Sequence, residues 1–270
     1  MTDRPPPAQV RLASRWGRVA LYLSCAACVA LAVSRLLDPR FPTAALLAGP
    51  LLLLCDVALG VFVHESGVFA RPLLSVVTAR PEVAITIDDG PDPVCTPAML
   101  DALDARGQRA TFFVIGERAE RHAAILRQIV LRGHAVANHS LRHSWATTFT
   151  PVAKLVSELR RTSEFVLAAT GRKPTWFRAP VGLHSPRVSS AASAAGLQLV
   201  GWSATARDGV DFTSPRRSLS RLARGLAPGA ILVIHDARPG GPALLAQLLD
   251  LLDARKLRSV TLDELVRGGE

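Results

Sequence analysis

From residue 82 onward the sequence predicts an α/β fold, a distorted (β/α)7-type barrel. Three observations carry this. Short β-branched runs alternate with amphipathic helical stretches, as in repeated strand–helix units. Proline stands at or near the start of most helical stretches, where its missing N–H costs nothing. Glycine follows several of their ends, as a left-handed cap requires. The strand-like pieces fall at 82–87, 110–115, 134–137, 175–178, 198–202, 230–234 and 257–261. Helix-like pieces fall between them at 97–105, 118–132, 151–170, 186–195, 215–226 and 242–252. Pro97, Pro151, Pro186, Pro215 and Pro242 mark helix starts, and Gly107, Gly133, Gly171 and Gly196 mark ends. No internal repeat or low-complexity segment interrupts the series.

The first eighty residues have another texture. Residues 1–18 form a basic, Pro-rich tail with Arg4, Arg11, Arg15 and Arg18. Two apolar runs follow at 19–37 and 43–63, joined by the polar turn Asp38-Pro39-Arg40. The second is long enough to span a bilayer, and Asp56 within it is tolerable if it faces a partner helix. Together they predict a transmembrane helical hairpin over 19–63, with 64–81 as a linker to the domain at 82–270. The same stretch also reads as a secretory signal, with Ala30-Leu31-Ala32 as a cleavage site. A pair of buried helices in a soluble domain is disfavoured, because neither run has a polar face. Four arginines before the first run, against Arg35 and Arg40 in the turn, place the N-terminus in the cytoplasm. Two crossings then return the catalytic part to the cytoplasmic face of a multi-pass membrane protein. A single crossing would put it on the extracytoplasmic face.

Composition agrees with partial contact with lipid. Hydrophobic residues are 49% of the chain and aromatics only 5%, so the apolar content is mainly Ala, Leu and Val. The net charge of +10 comes almost wholly from arginine. These arginines are scattered, with no dense basic run and no interleaved aromatics, which argues against a nucleic-acid partner. The four cysteines form no disulfide framework. Cys25 and Cys28 read as small fillers on a buried helix, since no second pair completes a zinc knuckle.

The unusual polar residues collect at the carboxyl ends of the predicted strands. Asp88, Asp89 and Gly90 end the first, and His139 and His143 follow the third. Arg178 ends the fourth, Asp208 comes shortly after the fifth, and His235 and Asp236 end the sixth. Active sites of (β/α) barrels are built on that face. Two adjacent carboxylates raise one another's pKa unless a cation compensates them. His139 and His143, four residues apart, bring two imidazoles to one point. With one carboxylate they make an open two-His, one-carboxylate metal centre. The other carboxylate is then free to act as a general base, and His235, approaching from the far side of the barrel mouth, suits the general acid. Taken alone, Asp-Asp-Gly reads as a turn and His-x-x-x-His as surface. Their conjunction outweighs those readings. His64, His122, His134 and His184 read as structural, and Asp236 as a cap on the following loop.

The segments Thr86-Ile87-Asp88-Asp89-Gly90, His139-Ser140-Leu141-Arg142-His143, Arg178-Ala179-Pro180-Val181-Gly182 and Ile231-Leu232-Val233-Ile234-His235-Asp236 occur in that order. They resemble the successive motifs of the polysaccharide deacetylases, the NodB-homology domains of carbohydrate esterase family 4. Ala110-Thr111-Phe112-Phe113 and Gly133-His134 add to the likeness, which covers about residues 82–266. It implies metal-dependent removal of an acyl group from a sugar. On that reading Asp89, His139 and His143 bind a divalent metal, usually zinc-like, with cobalt, manganese or nickel as alternatives. Asp88 is the base held by Arg178, and His235 is the acid tuned by Asp208. The chain departs from the pattern at three places. Gly209 follows Asp208 where the family often has Trp. Val181 stands where Tyr is common, keeping its backbone N–H for an oxyanion but losing a ring against the sugar. Val233 replaces a Leu of the acyl pocket. The expected partner is therefore an N-acylated sugar, as part of a polysaccharide or of a lipid-linked saccharide. A non-catalytic carbohydrate-binding protein on the same scaffold would have lost a ligand, base or acid, and this sequence keeps all five.

Overall fold

Strand periodicity explains the architecture, and the computed structural model of the chain, which describes residues 10–209 and 214–268, displays it directly. The central strand β3, Glu82–Gly90, is almost wholly buried, as a strand covered on both faces must be. Alternate side chains take opposite faces. Val83, Ile85 and Ile87 join the layer beneath the helices, while Ala84, Thr86 and Asp88 point into the curl of the sheet. Strand β9, Ile231–His235, lies beside β3 in parallel with Ala84 opposite Ile231, Thr86 opposite Val233 and Asp88 opposite His235. The same alternation therefore carries both polar residues to the concave side.

The other strands are β4, Ala110–Val114, and β5, Ala135–Asn138, with the short β6, Trp176–Phe177, and β7, Gln198–Leu199. Two-residue strands at Ala204–Thr205 (β8) and Arg258–Ser259 (β10) complete the set. Their order is β7-β6-β5-β4-β3-β9-β8, with β10 paired to β3 beyond that path. Helices lie outside the sheet: α3, Cys95–Asp104; α4, Gly116–Arg121; α5, Ala123–Leu131; α6, Val152–Thr170; α7, Pro186–Ala194; α8, Pro215–Arg224; α9, Gly241–Ala254; and α10, Leu262–Gly268. Ser185 and Ser214 cap α7 and α8 by accepting the N–H groups of Val188 and Arg217. Gly171, with φ of 70°, ends α6 in the left-handed conformation. The expected single helix over 118–132 is broken at His122 into α4 and α5.

The sheet curls without closing into a seven-stave barrel. Its edge strands β7 and β8 lie at opposite ends of the strand order without pairing to each other among the described residues, and β10 makes two residue pairs with β3. The opening is bridged by residues that the sequence reading assigned to a linker. Strand β2, Leu73–Val76, pairs Leu73 with Val200 and Ser75 with Ala230. Val68, Ala70, Leu73 and Val76 are all buried, so the expected linker at 64–81 is part of the folded domain. β2 also pairs antiparallel with β1, Val10–Leu12. The tail expectation falls partly on residues 1–9, outside the described residues.

Helices Trp16–Leu37 (αA) and Ala48–Phe62 (αB) pack on each other, the second preceded by a 3-10 turn at Thr43–Leu47. Gly49 lies directly against Cys28, and Ser24 donates a 2.6 Å hydrogen bond to Asp56. Asp56 thus faces a partner helix. The helical stretches 16–37 and 43–62 have mean hydropathy of 1.9 and 2.2 in their most apolar windows and are long enough to cross a membrane. Their apolar surface is largely uncovered by protein. Cys25 is accordingly exposed, not a filler on a buried helix.

Candidate active site

Asp88 sits inside the curl, 3% exposed. A carboxylate buried so deeply needs a partner, and Arg178 provides one from the end of β6. The guanidinium donates to Asp88 Oδ1 at 2.7 Å, to Thr86 Oγ1 at 2.8 Å and to the Gly201 carbonyl at 2.8 Å. It also lies 4.3 Å from the centre of the Phe113 ring. Asp88 Oδ2 stays 3.9 Å from His139 Nε2.

Asp89 turns out of the strand with φ of 72°. Its Oδ1 lies 3.4 Å from His139 Nε2 and 3.1 Å from His143 Nε2. Burial alone would raise this carboxyl, but the two imidazoles hold it well below the usual carboxylate range. The His139–His143 segment is not helical. Ser140 and His143 both adopt positive φ, at 67° and 54°, and Asn138 Oδ1 accepts the Ser140 N–H at 2.9 Å. This folded loop brings the two rings to 4.9 Å between centroids.

Asp89, His139 and His143 present ligand atoms within 4.8 Å of one another. Two observations fit them to a divalent metal. Asp89 Oδ1 is buried yet accepts no hydrogen bond, which is costly for a carboxylate oxygen without a cation. His139 Nδ1 lies 2.9 Å from the Arg178 carbonyl; donating there leaves a lone pair on Nε2, as ligating histidines are commonly arranged. A second grouping of Asp92, Cys95 and Asp236 differs in kind. Asp92 caps α3 through the Val94 and Cys95 N–H groups. Asp236 accepts the Ala237 N–H at 2.7 Å and the Thr96 hydroxyl proton, so it does cap its loop.

His235 does not approach from the far side of the mouth. It is the register neighbour of Asp88 on the adjacent strand, and the Asp236 N–H donates to the Asp88 carbonyl at 2.7 Å. Asp208 grips it twice, accepting the backbone N–H at 2.9 Å and lying 2.7 Å from Nδ1. Burial disfavours the imidazolium, but the Asp208 hydrogen bond and the charges of Asp88 and Asp208 raise the His235 pKa above its ordinary value. With Nδ1 committed, Nε2 is the nitrogen available to a reacting group. Gly209 matters here, because a Cβ at that position would lie 3.1 Å from Nε2.

Asp88, Asp89, His139, His143 and His235 line a pocket of about 680 Å³, within the range of small-ligand sites. Val181 and Val233 line it as expected. Val181 is 65% exposed with φ of 57°, a strained position for a β-branched residue. Two further lining residues, Trp202 and, more instructively, His64, are not among the site residues expected from sequence. His64 was read as structural but stands in the pocket wall with Phe62, Val63 and Glu65. Its ring lies 4.1 Å from that of Trp202 and its Nε2 is 3.2 Å from the Trp202 carbonyl. Trp202 closes a predicted strand, so the strand-end signal extended to it; His64 carried no such signal. His134, 3.2 Å from the Ala110 N–H through Nδ1, is structural as read. The buried His184 lies near His64, and burial lowers its pKa to about 4, with the nearby His64 charge adding to the effect.

Such a pocket on a curled parallel sheet is the architecture of a carbohydrate-deacetylating hydrolase. The family model for polysaccharide deacetylases matches residues 75–200. A peptidoglycan-N-acetylglucosamine deacetylase of Bacillus cereus is 34% identical over 190 residues, spanning 68% of this chain and 88% of that protein. A chitooligosaccharide deacetylase of a Bradyrhizobium species is 36% identical over 170 residues, spanning 61% and 75%. A family 4 acetyl xylan esterase from Clostridium thermocellum, solved in complex with a cobalt ion, superimposes with a TM-score of 0.63 at 32% identity, over 68% of this chain and 89% of that one. The chain belongs to the polysaccharide deacetylase family.

Proposed function

We propose that the chain is a membrane-anchored, metal-dependent hydrolase that removes an N-acyl group, acetyl in the simplest case, from a sugar. The observation that carries this reading is the side-by-side placement of Asp88 and His235 against the Asp89, His139 and His143 cluster. The named activities of the relatives, on chitooligosaccharides and on peptidoglycan N-acetylglucosamine, support the substrate class. A metal held by Asp89, His139 and His143 supplies Lewis-acid polarisation when bound. Asp88, its Oδ1 tied to Arg178, offers Oδ2 as the acceptor for a proton of the attacking water. His235 donates its Nε2 proton to the sugar nitrogen as the carbon–nitrogen bond breaks, and Asp208 holds the ring in that tautomer. Val181 lines the pocket, and its backbone N–H is the proposed donor to the oxyanion. Val233, also in the wall, bounds space for a small acyl group. A carbohydrate-binding role without catalysis is not favoured, since base, acid and all three ligands are present.

The substitutions that test this separate chemistry from metal binding. Asp88→Asn should retain metal while losing at least about a hundredfold in turnover, the usual worth of a general base. His139→Ala should lose metal, measured directly by elemental analysis. Full activity of Asp88→Asn on acetylated chitooligosaccharides would remove Asp88 from the role of base.

The hairpin reading has its own support. β1 precedes the first apolar helix and β2 follows the second, yet they pair. Residues 10–12 and the domain therefore share one side of any membrane the helices cross, as two crossings require. Cleavage after Ala32 would remove β1, which counts against a signal peptide. The excess of arginine before the first helix favours the cytoplasmic face.

A further inference from the structure

Helix αB passes from its apolar span into the pocket without a spacer. Its last residue, Phe62, lines the site, and so do Val63, His64 and Glu65. The junction is tightly built. The His184 N–H donates to the Val61 carbonyl at 3.1 Å, and a Cβ on Gly60 would lie 2.7 Å from the Phe69 ring. Gly17, near the start of αA, is pressed as closely against Ser66 and Val68. These close approaches pack the ends of both helices directly against the pocket side of the domain.

The rim of the pocket on this side carries exposed apolar side chains beside the exposed Glu65. Phe62 is 70% exposed and Val181 65%. The 3-10 turn Trp145–Phe149, which begins two residues after His143, packs against the Pro180–Gly182 turn and leaves Trp145 69% and Phe149 63% exposed. Large apolar side chains gathered around one polar pocket mark an interaction surface, and tryptophan favours the lipid–water boundary. Val181, in the turn that the Trp145–Phe149 segment packs against, lines the same pocket as Phe62 at the foot of the helix pair, and the stretches at residues 16–37 and 43–62 have the length to cross a bilayer.

We propose that the mouth of the site lies on the bilayer surface and that the acylated sugar it takes is carried on a lipid, with Phe62 and its neighbours forming the wall that the lipid-proximal part of the substrate passes. This rests on the deacylase and hairpin readings above.

The test uses the full, metal-loaded chain in lipid nanodiscs. Tryptophan emission is recorded for wild type and Trp145→Phe, with brominated phospholipids or aqueous acrylamide as quencher. The component lost in Trp145→Phe should be quenched by bromolipid. In parallel, kcat/KM is compared for N-acetylglucosamine attached through phosphate to a polyisoprenol and for lipid-free tetra-N-acetylchitotetraose. The lipid-linked sugar should be favoured at least about tenfold, the worth of burying one or two large apolar groups, and Phe62→Asp should abolish the preference. Quenching of Trp145 by acrylamide alone, or equal turnover of the two sugars, overturns the proposal. So does protection of Trp145 from both quenchers with two chains per disc, which would assign the rim to a second copy. Hydrolysis of neither sugar overturns the deacylase reading instead, and the bromolipid result then judges the orientation of the mouth by itself.

Discussion

Arg178→Met isolates the feature on which the pocket most depends. Arg178 is 1% exposed and Asp88 3%, so neither charge has water to fall back on. Methionine keeps most of the side-chain volume against Phe113, and the substitution therefore removes charge more than packing. It deletes three donors, to Asp88, Thr86 and Gly201, and leaves a buried carboxylate without a counter-charge. Removing one partner of such a pair costs about 3–5 kcal/mol. At about 2–4 °C per kcal/mol for a domain of this size, the thermal midpoint should fall by about 6–20 °C. Calorimetry of the full chain in detergent micelles reads this directly. The decisive comparison is the double variant Asp88→Asn with Arg178→Met. If the cost arises from the stranded carboxylate, the double variant should recover at least about 2 kcal/mol relative to Arg178→Met alone, a coupling of the size found between contacting residues. Additive losses, or a loss below about 1 kcal/mol for Arg178→Met, would refute the view that Arg178 exists to hold Asp88.

The remaining predictions concern the acid and the orientation of the chain. His235 must carry its proton to act as an acid, and its pKa is raised chiefly by the Asp208 hydrogen bond working against burial. The fall of kcat/KM with rising pH should therefore lie above the ordinary imidazole value in wild type and move to lower pH in Asp208→Asn; an unmoved or upward-shifted limb would contradict the assignment. For topology, a fluorescent reporter that matures only in the cytoplasm, fused after Glu270, should light up if both helices span and the arginine-rich end stays inside. A dark fusion beside an active periplasmic alkaline phosphatase fusion would reverse the orientation.

Much of the domain was legible because its signals are local. Hydrophobic periodicity located β3, β4 and β9, and the proline and glycine punctuation located α6, α7 and α8 to within a residue or two. The site was legible through position: Asp88, His139, Arg178 and His235 stand at or just past strand ends, where a parallel sheet collects its chemistry. What escaped depended on long-range pairing. Leu73–Val76 is four residues long and became a strand only because Val10–Leu12, Val200 and Ala230 lie beside it. The closeness of Asp88 and His235 follows from β9 lying next to β3, a strand order that no periodicity encodes. His64 was missed for a related reason. It follows an apolar run whose destination, against Trp202, is 138 residues away in sequence. The convergence of His139 and His143 came from left-handed turns at Ser140 and His143, not from the helix that four-residue spacing suggests.

The pairing of β1 with β2 also fixes an order of events during synthesis. Val10 leaves the ribosome long before Val76, its partner in register, and in the interval the whole helix pair must be made and housed. The amino-terminal strand therefore waits, unpaired, until the hairpin has doubled back. The contact then closes a loop that contains both helices, on a strand that also bridges Val200 and Ala230. The helix pair and the sheet are thereby joined at both ends of the pair, through β1 before it and β2 after it. Under the proposed hairpin, a chain whose helices failed to insert should also leave β1 and β2 unpaired.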